Sequence, residues 1–149
     1  MMKAQAVIRA LSKNANFDTA KIMNEANQSL CEGNDYNMFV TCWLGILDKQ
    51  NGELKYTNAG HNPPAIYQDG KFTYLTSRPG FVLAGLHGLH YKEFTTQLVK
   101  GDRILLYTDG ITEASNINQE LYGDKRLIDY LNKNTNLPIH KLVKGITKD

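Results

Sequence analysis

The sequence predicts an α+β fold, a mostly antiparallel β-sheet with helices covering a face. Three observations carry this. Apolar residues recur at helical spacing near both ends of the chain. Between them lie short β-branched and aromatic runs broken by Asn51-Gly52 and Asp69-Gly70, which are strong hairpin signals. Helices grouped before and after a block of hairpins, rather than alternating with strands, argue for antiparallel pairing.

In order along the chain, Ala4, Val7, Ile8 and Leu11 mark a first helix with no capping residue before it, which reads as a start inside a larger domain. Asn14 to Phe17 breaks the pattern. Asp18 is the expected N-cap of a second helix, with Phe17 and Ile22 placed as a hydrophobic staple and Ile22, Met23, Ala26 and Leu30 on its apolar face. Glu32 to Asp35 ends it. Met38 to Leu47 is apolar on both faces and reads as a central strand, with Phe39, Trp43 and Leu47 in the core. Asp48 to Gly52 turns the chain into a return strand, Leu54 to Thr57. Asn58 to Pro64 is a stiffened loop. Ala65 to Tyr67 and Phe72 to Leu75 flank the Asp69-Gly70 turn, and Thr76 to Leu89 is glycine-rich and irregular. Glu93 to Leu98 and Arg103 to Thr108 are the remaining strands. Leu127, Ile128 and Leu131 mark a helix after Gly123-Asp124, and Pro138 suits the first turn of a last helix bearing Leu142, Val143 and Ile146.

A chain of 149 residues is most simply one domain with a core of its own, and 42% hydrophobic with 21% charged residues is ordinary for a globular protein. Its net charge of +2 comes from 17 basic and 15 acidic residues that are scattered, so no electrostatic argument points to nucleic acid or an anionic membrane. The longest apolar stretch, Met38 to Leu47, is too short to span a bilayer and holds Thr41 and Gly45. Cys31 and Cys42 have no metal-binding spacing, and Cys42 reads as a buried, reduced thiol. With no leader pattern at the start, the expected setting is cytoplasmic.

The chemistry is concentrated in Leu105-Leu106-Tyr107-Thr108-Asp109-Gly110-Ile111-Thr112-Glu113. An apolar strand ending in a carboxylate can hold a hard oxygen ligand rigidly at the mouth of a site, as metal-assisted phosphate chemistry requires. It has company: Asn37-Met38-Phe39-Val40-Thr41, then Tyr56-Thr57-Asn58-Ala59-Gly60-His61-Asn62-Pro63-Pro64, then Gly101 to Ala114, then Tyr122-Gly123-Asp124-Lys125-Arg126-Leu127. Together these segments resemble the PPM class of metal-dependent protein serine/threonine phosphatases, in the bacterial branch named after stage II sporulation protein E and the sigma-factor regulator RsbU. The resemblance runs over nearly the whole chain.

That resemblance implies a sandwich of two antiparallel sheets flanked by helices, and two Mn²⁺ or Mg²⁺ ions in the complete domain. A water bridging two such ions becomes the nucleophile, with no covalent phosphoenzyme. It implies Asp109 as a metal ligand, Gly110 as the turn beneath the metal, and Glu113 as an accessory group. The family's Gly-Asp-x-x-Asp motif would lie upstream of the first helix and its Asp-Asp-x-Thr motif downstream of the last. Neither Gly101-Asp102 nor Gly123-Asp124 has an aspartate three residues on, and the chain has no Asp-Asp pair. Residues 1–149 therefore read as a partial SpoIIE-type phosphatase domain, incomplete at both ends.

His61 has two readings, a proton donor to the leaving serine oxygen or a loop histidine bonded to backbone; the turn chemistry around it favours the second. Asn58 reads as a turn residue that satisfies backbone groups. His87 and His90 sit among glycines with no third ligand nearby and read as a solvated loop. Asp102 reads as a turn residue and Arg78 as an exposed loop arginine.

Two functional classes follow. One is hydrolysis of phosphoserine or phosphothreonine on a regulatory protein, by resemblance a phosphorylated anti-sigma-factor antagonist. The other is a catalytically inactive truncated phosphatase fold that binds a protein. Unpaired strand edges would favour self-association in either case.

Overall fold

Asp18 starts a helix as its spacing predicts. Its carboxylate accepts the Lys21 N–H at 2.8 Å, capping α2 (Thr19–Cys31), which follows α1 (Met2–Leu11). The computed structural model describes residues 2–13, 16 and 18–146. Ile22 is fully buried, whereas its expected staple partner Phe17 lies outside the described residues.

Among the described residues, six strands and three further helices follow: β1 (Cys42–Leu47), β2 (Glu53–Ala59), β3 (Ala65–Gln68), β4 (Lys71–Tyr74), β5 (Phe94–Gln97), β6 (Arg103–Leu105), α3 (Asp109–Thr112), α4 (Gly123–Lys133) and α5 (Ile139–Ile146). They form two antiparallel sheets, ordered β1-β2-β5 and β4-β3-β6. The chain divides into two packing units. The first comprises Met1–His61 and Ser77–Lys100, the second Asn62–Thr76 and Gly101–Asp149.

In the first unit, the β1–β2 hairpin closes where sequence chemistry places it. Gly52 has φ +79° and donates to Asp48 O at 2.8 Å, and Asn51 Oδ1 accepts the Glu53 N–H at 2.8 Å. One face of the sheet carries a stacked ladder, with Trp43 5.6 Å from Tyr56 and Tyr56 5.7 Å from Phe94. Cys42 and Leu44 lie on the other face and pack against a core of Ala4, Met23, Leu30, Ala59, Leu83 and Tyr91. Glu93 ties α2 to this sheet: its carboxylate accepts from Thr19 N at 2.7 Å and Thr19 Oγ1 at 2.8 Å, and Thr19 Oγ1 lies 2.8 Å from Thr57 Oγ1.

Two expectations need correcting here. The stretch Met38 to Leu47 is not a central strand. Pairing begins at Cys42, opposite Ala59, and β1 is an edge of its sheet with β2 in the centre. The reason is register: β2 ends at Ala59, so, among the described residues, 38–41 meet no strand partner beyond a single bridge from Val40 to Leu83. Phe39 and Leu47 are accordingly exposed rather than core, and Trp43 is half-buried. The segment from 76 to 89 is irregular as expected, yet it is pinned. Asn27, itself buried, donates to Leu86 O at 2.9 Å and accepts the Ala84 N–H at 2.9 Å, while Leu83 is fully buried.

In the second unit, β3 and β4 meet at a two-residue turn in which Asp69 (φ +51°) and Gly70 (φ +82°) both adopt left-handed backbone. Its core comprises Ala65, Phe72, Tyr107, Leu127, Leu131, Leu142 and Ile146. The exposed edge of β4 is closed by a side chain on α4: Asn132 Oδ1 accepts the Phe72 N–H at 2.7 Å and its Nδ2 donates to Phe72 O at 3.0 Å. Asp102, expected at a turn, accepts from Gln68 Nε2 at 2.9 Å. The last strand is shorter than predicted, ending at Leu105 rather than Thr108, because its partner β3 begins at Ala65, the residue opposite Leu105.

Candidate functional site

The exit of β6 alternates in a way that presents one carboxylate. Tyr107 is buried in the core of the second unit, and Thr108 and Asp109 are exposed. Tyr107 is anchored at its far end, its hydroxyl donating to Asp124 Oδ1 at 3.2 Å; the Tyr74 hydroxyl donates to Asp124 O at 2.7 Å. Burial first, then the neighbouring Tyr74 and Asp124, push the Tyr107 phenol well above its ordinary range, so it is a fixed donor at neutral pH.

Asp109 is the first residue of α3, a single helical turn. Thr108 precedes it in extended backbone, and Ile111 N donates back to Thr108 O at 3.0 Å. Beyond it, Glu113 N donates to Asp109 O at 2.7 Å, and buried Thr112 and half-buried Ile111 hold the turn on the core. The backbone bearing Asp109 is thus fixed on both sides while its side chain faces solvent.

Gly110 departs from its expected role. Its φ is not positive, and a Cβ added there would meet only Thr108 Oγ1, at 3.6 Å. It is an ordinary helical residue, and the change of direction is made by the α3 turn itself. Glu113, one turn after Asp109, is exposed at the C-cap of α3. Next to this turn lies a cavity of about 360 Å³ lined by Gly110, Ile111, Ala114, Tyr122, Arg126 and Ile146. Sequence reading missed this cavity, because its walls come from segments that only tertiary structure brings together; the Arg126 guanidinium lies 4.9 Å from the Tyr122 ring centre.

His61 and Asn58 belong to the first unit. Asn58 is buried and brackets His61 at both backbone groups: its Nδ2 donates to His61 O and its Oδ1 accepts the His61 N–H, each at 2.8 Å. Gly60 between them has φ +70° and presses close to Val82. The half-buried imidazole meets Thr41 Oγ1 through Nδ1 at 3.1 Å. Asn58 therefore has the backbone role that its position suggested. His87 and His90 are exposed, as expected of a solvated loop, and Arg78 is exposed as well.

An ion pair of the kind the resemblance implies needs several oxygen donors converging on it. Among the described residues, no group of three or more His, Cys, Asp or Glu side chains is placed to hold a metal ion. Asp109 and Glu113 are the carboxylates that α3 contributes, and they do not by themselves fit a two-ion centre. Among the described residues, no helix is long and apolar enough to cross a membrane.

The comparisons with known proteins agree with the motifs. The chain is 31% identical over 101 residues to "Phosphoserine phosphatase RsbU" of Bacillus subtilis (strain 168), a match covering 66% of this chain and 30% of RsbU. It spans only 16% and 30% of the lengths of two curated relatives it matches. Among solved structures, the SiaA-PP2C domain of Pseudomonas aeruginosa superposes with a TM-score of 0.81 at 20% identity, over 99% of this chain and 59% of that one. The catalytic domain of the serine threonine protein phosphatase PstP, in complex with two manganese ions, superposes with a TM-score of 0.67 at 15% identity, over 99% of this chain and 73% of that one. At such identities these likenesses establish the fold, the mixed helix and antiparallel-sheet fold of PP2C phosphatase domains. The family model described as Stage II sporulation protein E (SpoIIE) matches residues 1–149, and with its motifs and fold in agreement the chain belongs to that family, of PPM type and of the SpoIIE/RsbU kind.

Proposed function

We propose that this chain serves in the hydrolysis of phosphoserine or phosphothreonine on a regulatory protein, an anti-sigma-factor antagonist, with Asp109 as one ligand of a divalent ion, Mn²⁺ or Mg²⁺. Residues 1–149 are then part of a SpoIIE-type phosphatase domain. The observation that carries the reading is the carboxylate of Asp109, exposed at the start of α3 on backbone held by Tyr107 on one side and Thr112 on the other. The names of the relatives agree with it: RsbU is a phosphoserine phosphatase, and the PstP domain holds two manganese ions. A two-ion centre needs oxygen ligands beyond those the described residues gather, and Glu113 is the nearest accessory carboxylate in the sequence. His61 is bonded to Thr41 and bracketed by Asn58, which supports a role in holding its loop rather than in proton transfer.

A second reading, a non-catalytic phosphatase fold that binds a protein, is favoured by the lack of a three-ligand cluster among the described residues. One experiment separates the two. Hydrolysis of p-nitrophenyl phosphate is measured with and without Mn²⁺, beside Mn²⁺ binding by titration calorimetry, for the chain and for Asp109→Asn. Enzymatic function is expected to show as Mn²⁺-dependent turnover that falls about 100-fold or more in Asp109→Asn, with weakened metal binding. Absence of both turnover and Mn²⁺ binding in the unaltered chain would leave the binding-module reading.

A further inference from the structure

Helix α4 faces two ways. Leu127 and Leu131 are fully buried in the core of the second unit. Along its other side runs a groove of about 710 Å³ whose walls include Tyr122, Lys125, Arg126, Asp129, Tyr130 and Lys133. Three of these are cations and one is a carboxylate, on a chain whose charges otherwise nearly balance. Lys125, Arg126 and Lys133 are exposed. Asp129 accepts from Lys125 Nζ at 2.6 Å, but the pair stands in solvent, with side-chain exposures of 47% and 88%, and so holds Lys125 only weakly. The aromatic walls are fixed. The Tyr122 ring lies under the Arg126 guanidinium, and the Tyr130 hydroxyl donates to Leu142 O at 3.2 Å, occupying the space that a Cβ on Gly145 would take. Tyr122 and Arg126 also line the cavity beside the Asp109 turn, so the groove begins where the candidate site ends.

We propose that this groove docks an acidic segment of the protein substrate, a few residues from the phosphoserine or phosphothreonine. The identity of that protein rests on the proposed hydrolysis; the charge of the segment is read from the groove itself. Complementarity gives the sign, since three cations outnumber the one carboxylate and that carboxylate is already paired. Continuity gives the substrate as occupant, because a chain held at the Asp109 turn meets Arg126 first and the two lysines beyond it. Lys125 and Lys133 are eight residues apart on α4, roughly 12 Å along the helix, a span of about four residues of extended peptide. Further folded elements of a domain are poorer occupants. Packing them here would strip water from four ionised side chains, which apolar contacts do not offset, whereas a segment bearing carboxylates supplies the missing partners. A nucleic acid is poorer too, since Asp129 would face its phosphates and three cations release few counterions.

Fluorescence anisotropy of a fluorescein-labelled glutamate decapeptide, titrated with the full chain in about 50 mM NaCl, tests the groove without metal or turnover. The expected result is saturable binding that weakens at least about tenfold in the double variant Lys125→Glu, Lys133→Glu. In Lys49→Glu, Lys100→Glu, which changes the net charge equally at exposed lysines of the first unit, the dissociation constant is expected to stay within about threefold. Asp129→Asn frees Lys125 from its partner and is expected to tighten binding about two- to threefold, a gain that partial unfolding does not produce. Far-UV circular dichroism checks that the variants fold. No binding up to about 500 μM chain overturns the proposal. So does equal weakening in the two double variants, which would make net charge the whole effect. Decathymidylate bound as tightly as the peptide also overturns it, by making the groove a nucleic-acid site. The hydrolysis reading fails separately. Peptide binding by a chain that neither binds Mn²⁺ nor turns over p-nitrophenyl phosphate would keep the acidic-segment groove and remove its substrate, while turnover without peptide binding would remove the groove alone.

Discussion

Gly60 and Gly110 both follow residues of the motifs, yet only one uses its lack of a side chain. Gly60 sits at φ +70°, and an added Cβ would come within 2.9 Å of Val82 Cγ1. Gly110 lies in the α3 turn, where an added Cβ would make only an ordinary contact with Thr108 Oγ1 at 3.6 Å. Gly60→Ala is therefore expected to destabilise the chain by about 1–2 kcal/mol, through left-handed strain and the clash. Gly110→Ala is expected to be neutral or to stabilise by about 0.5 kcal/mol, by restricting the unfolded chain. Urea unfolding of the two variants checks the pair, and equal losses would show that Gly110 does need its freedom. At this scale the site was half legible. The exposed position of Asp109 and the turn role of Asn58 could be read, because a polar residue after an apolar run and an Asx turn are both local chemistry. The backbone angle of Gly110 could not, since Asp-Gly suits a left-handed turn and the first turn of a helix alike, and the choice lies with Tyr107 and Thr112 finding the core.

Hairpins are the elements that the sequence specified best, because Asn51-Gly52 and Asp69-Gly70 encode their turns within a few residues. Strand position within a sheet was not legible. The run from Met38 to Leu47 has the composition of a buried central strand, but β2 pairs on both sides and leaves β1 at the edge, an outcome set by β5 some forty residues later in the chain. The edge of β4 is handled differently, since the Asn132 amide offers Phe72 the donor and acceptor that a neighbouring strand would supply. Asn132→Ala is expected to cost about 1–2 kcal/mol by leaving both Phe72 groups without that partner. Asn132→Asp should be no better, because it keeps the acceptor for Phe72 N–H while facing Phe72 O with a second acceptor. Thermal unfolding followed by circular dichroism measures both, and an Asn132→Asp variant as stable as the parent would refute the clamp.

Across the molecule, burial of weak acids in the first unit makes stability depend on alkaline pH. Burial pushes the Cys42 thiol from an ordinary 9.0 up to about 11, and burial likewise pushes the Tyr91 phenol from 10.0 up to about 12. Folded, both groups keep their protons longer than the unfolded chain does. Between these values the unfolded state binds fewer protons, so stability is fully present below about pH 9 and is lost as pH rises toward 12. Urea midpoints should thus fall between pH 8.5 and about 11, and Cys42→Ala should flatten the earlier part of that decline. A midpoint constant over this range would show the thiol to be solvated. The interleaving of the two units has a consequence for synthesis. The first unit needs β5, and its stretches 1–61 and 77–100 are separated by the β3–β4 hairpin of the second. During translation the β1–β2 and β3–β4 hairpins can form as soon as they emerge, but the first sheet can close only after about forty more residues, through β5, and the second only after about thirty, through β6. A growing chain therefore carries two unfinished sheets at once, and completes them in quick succession as β5 and then β6 leave the ribosome.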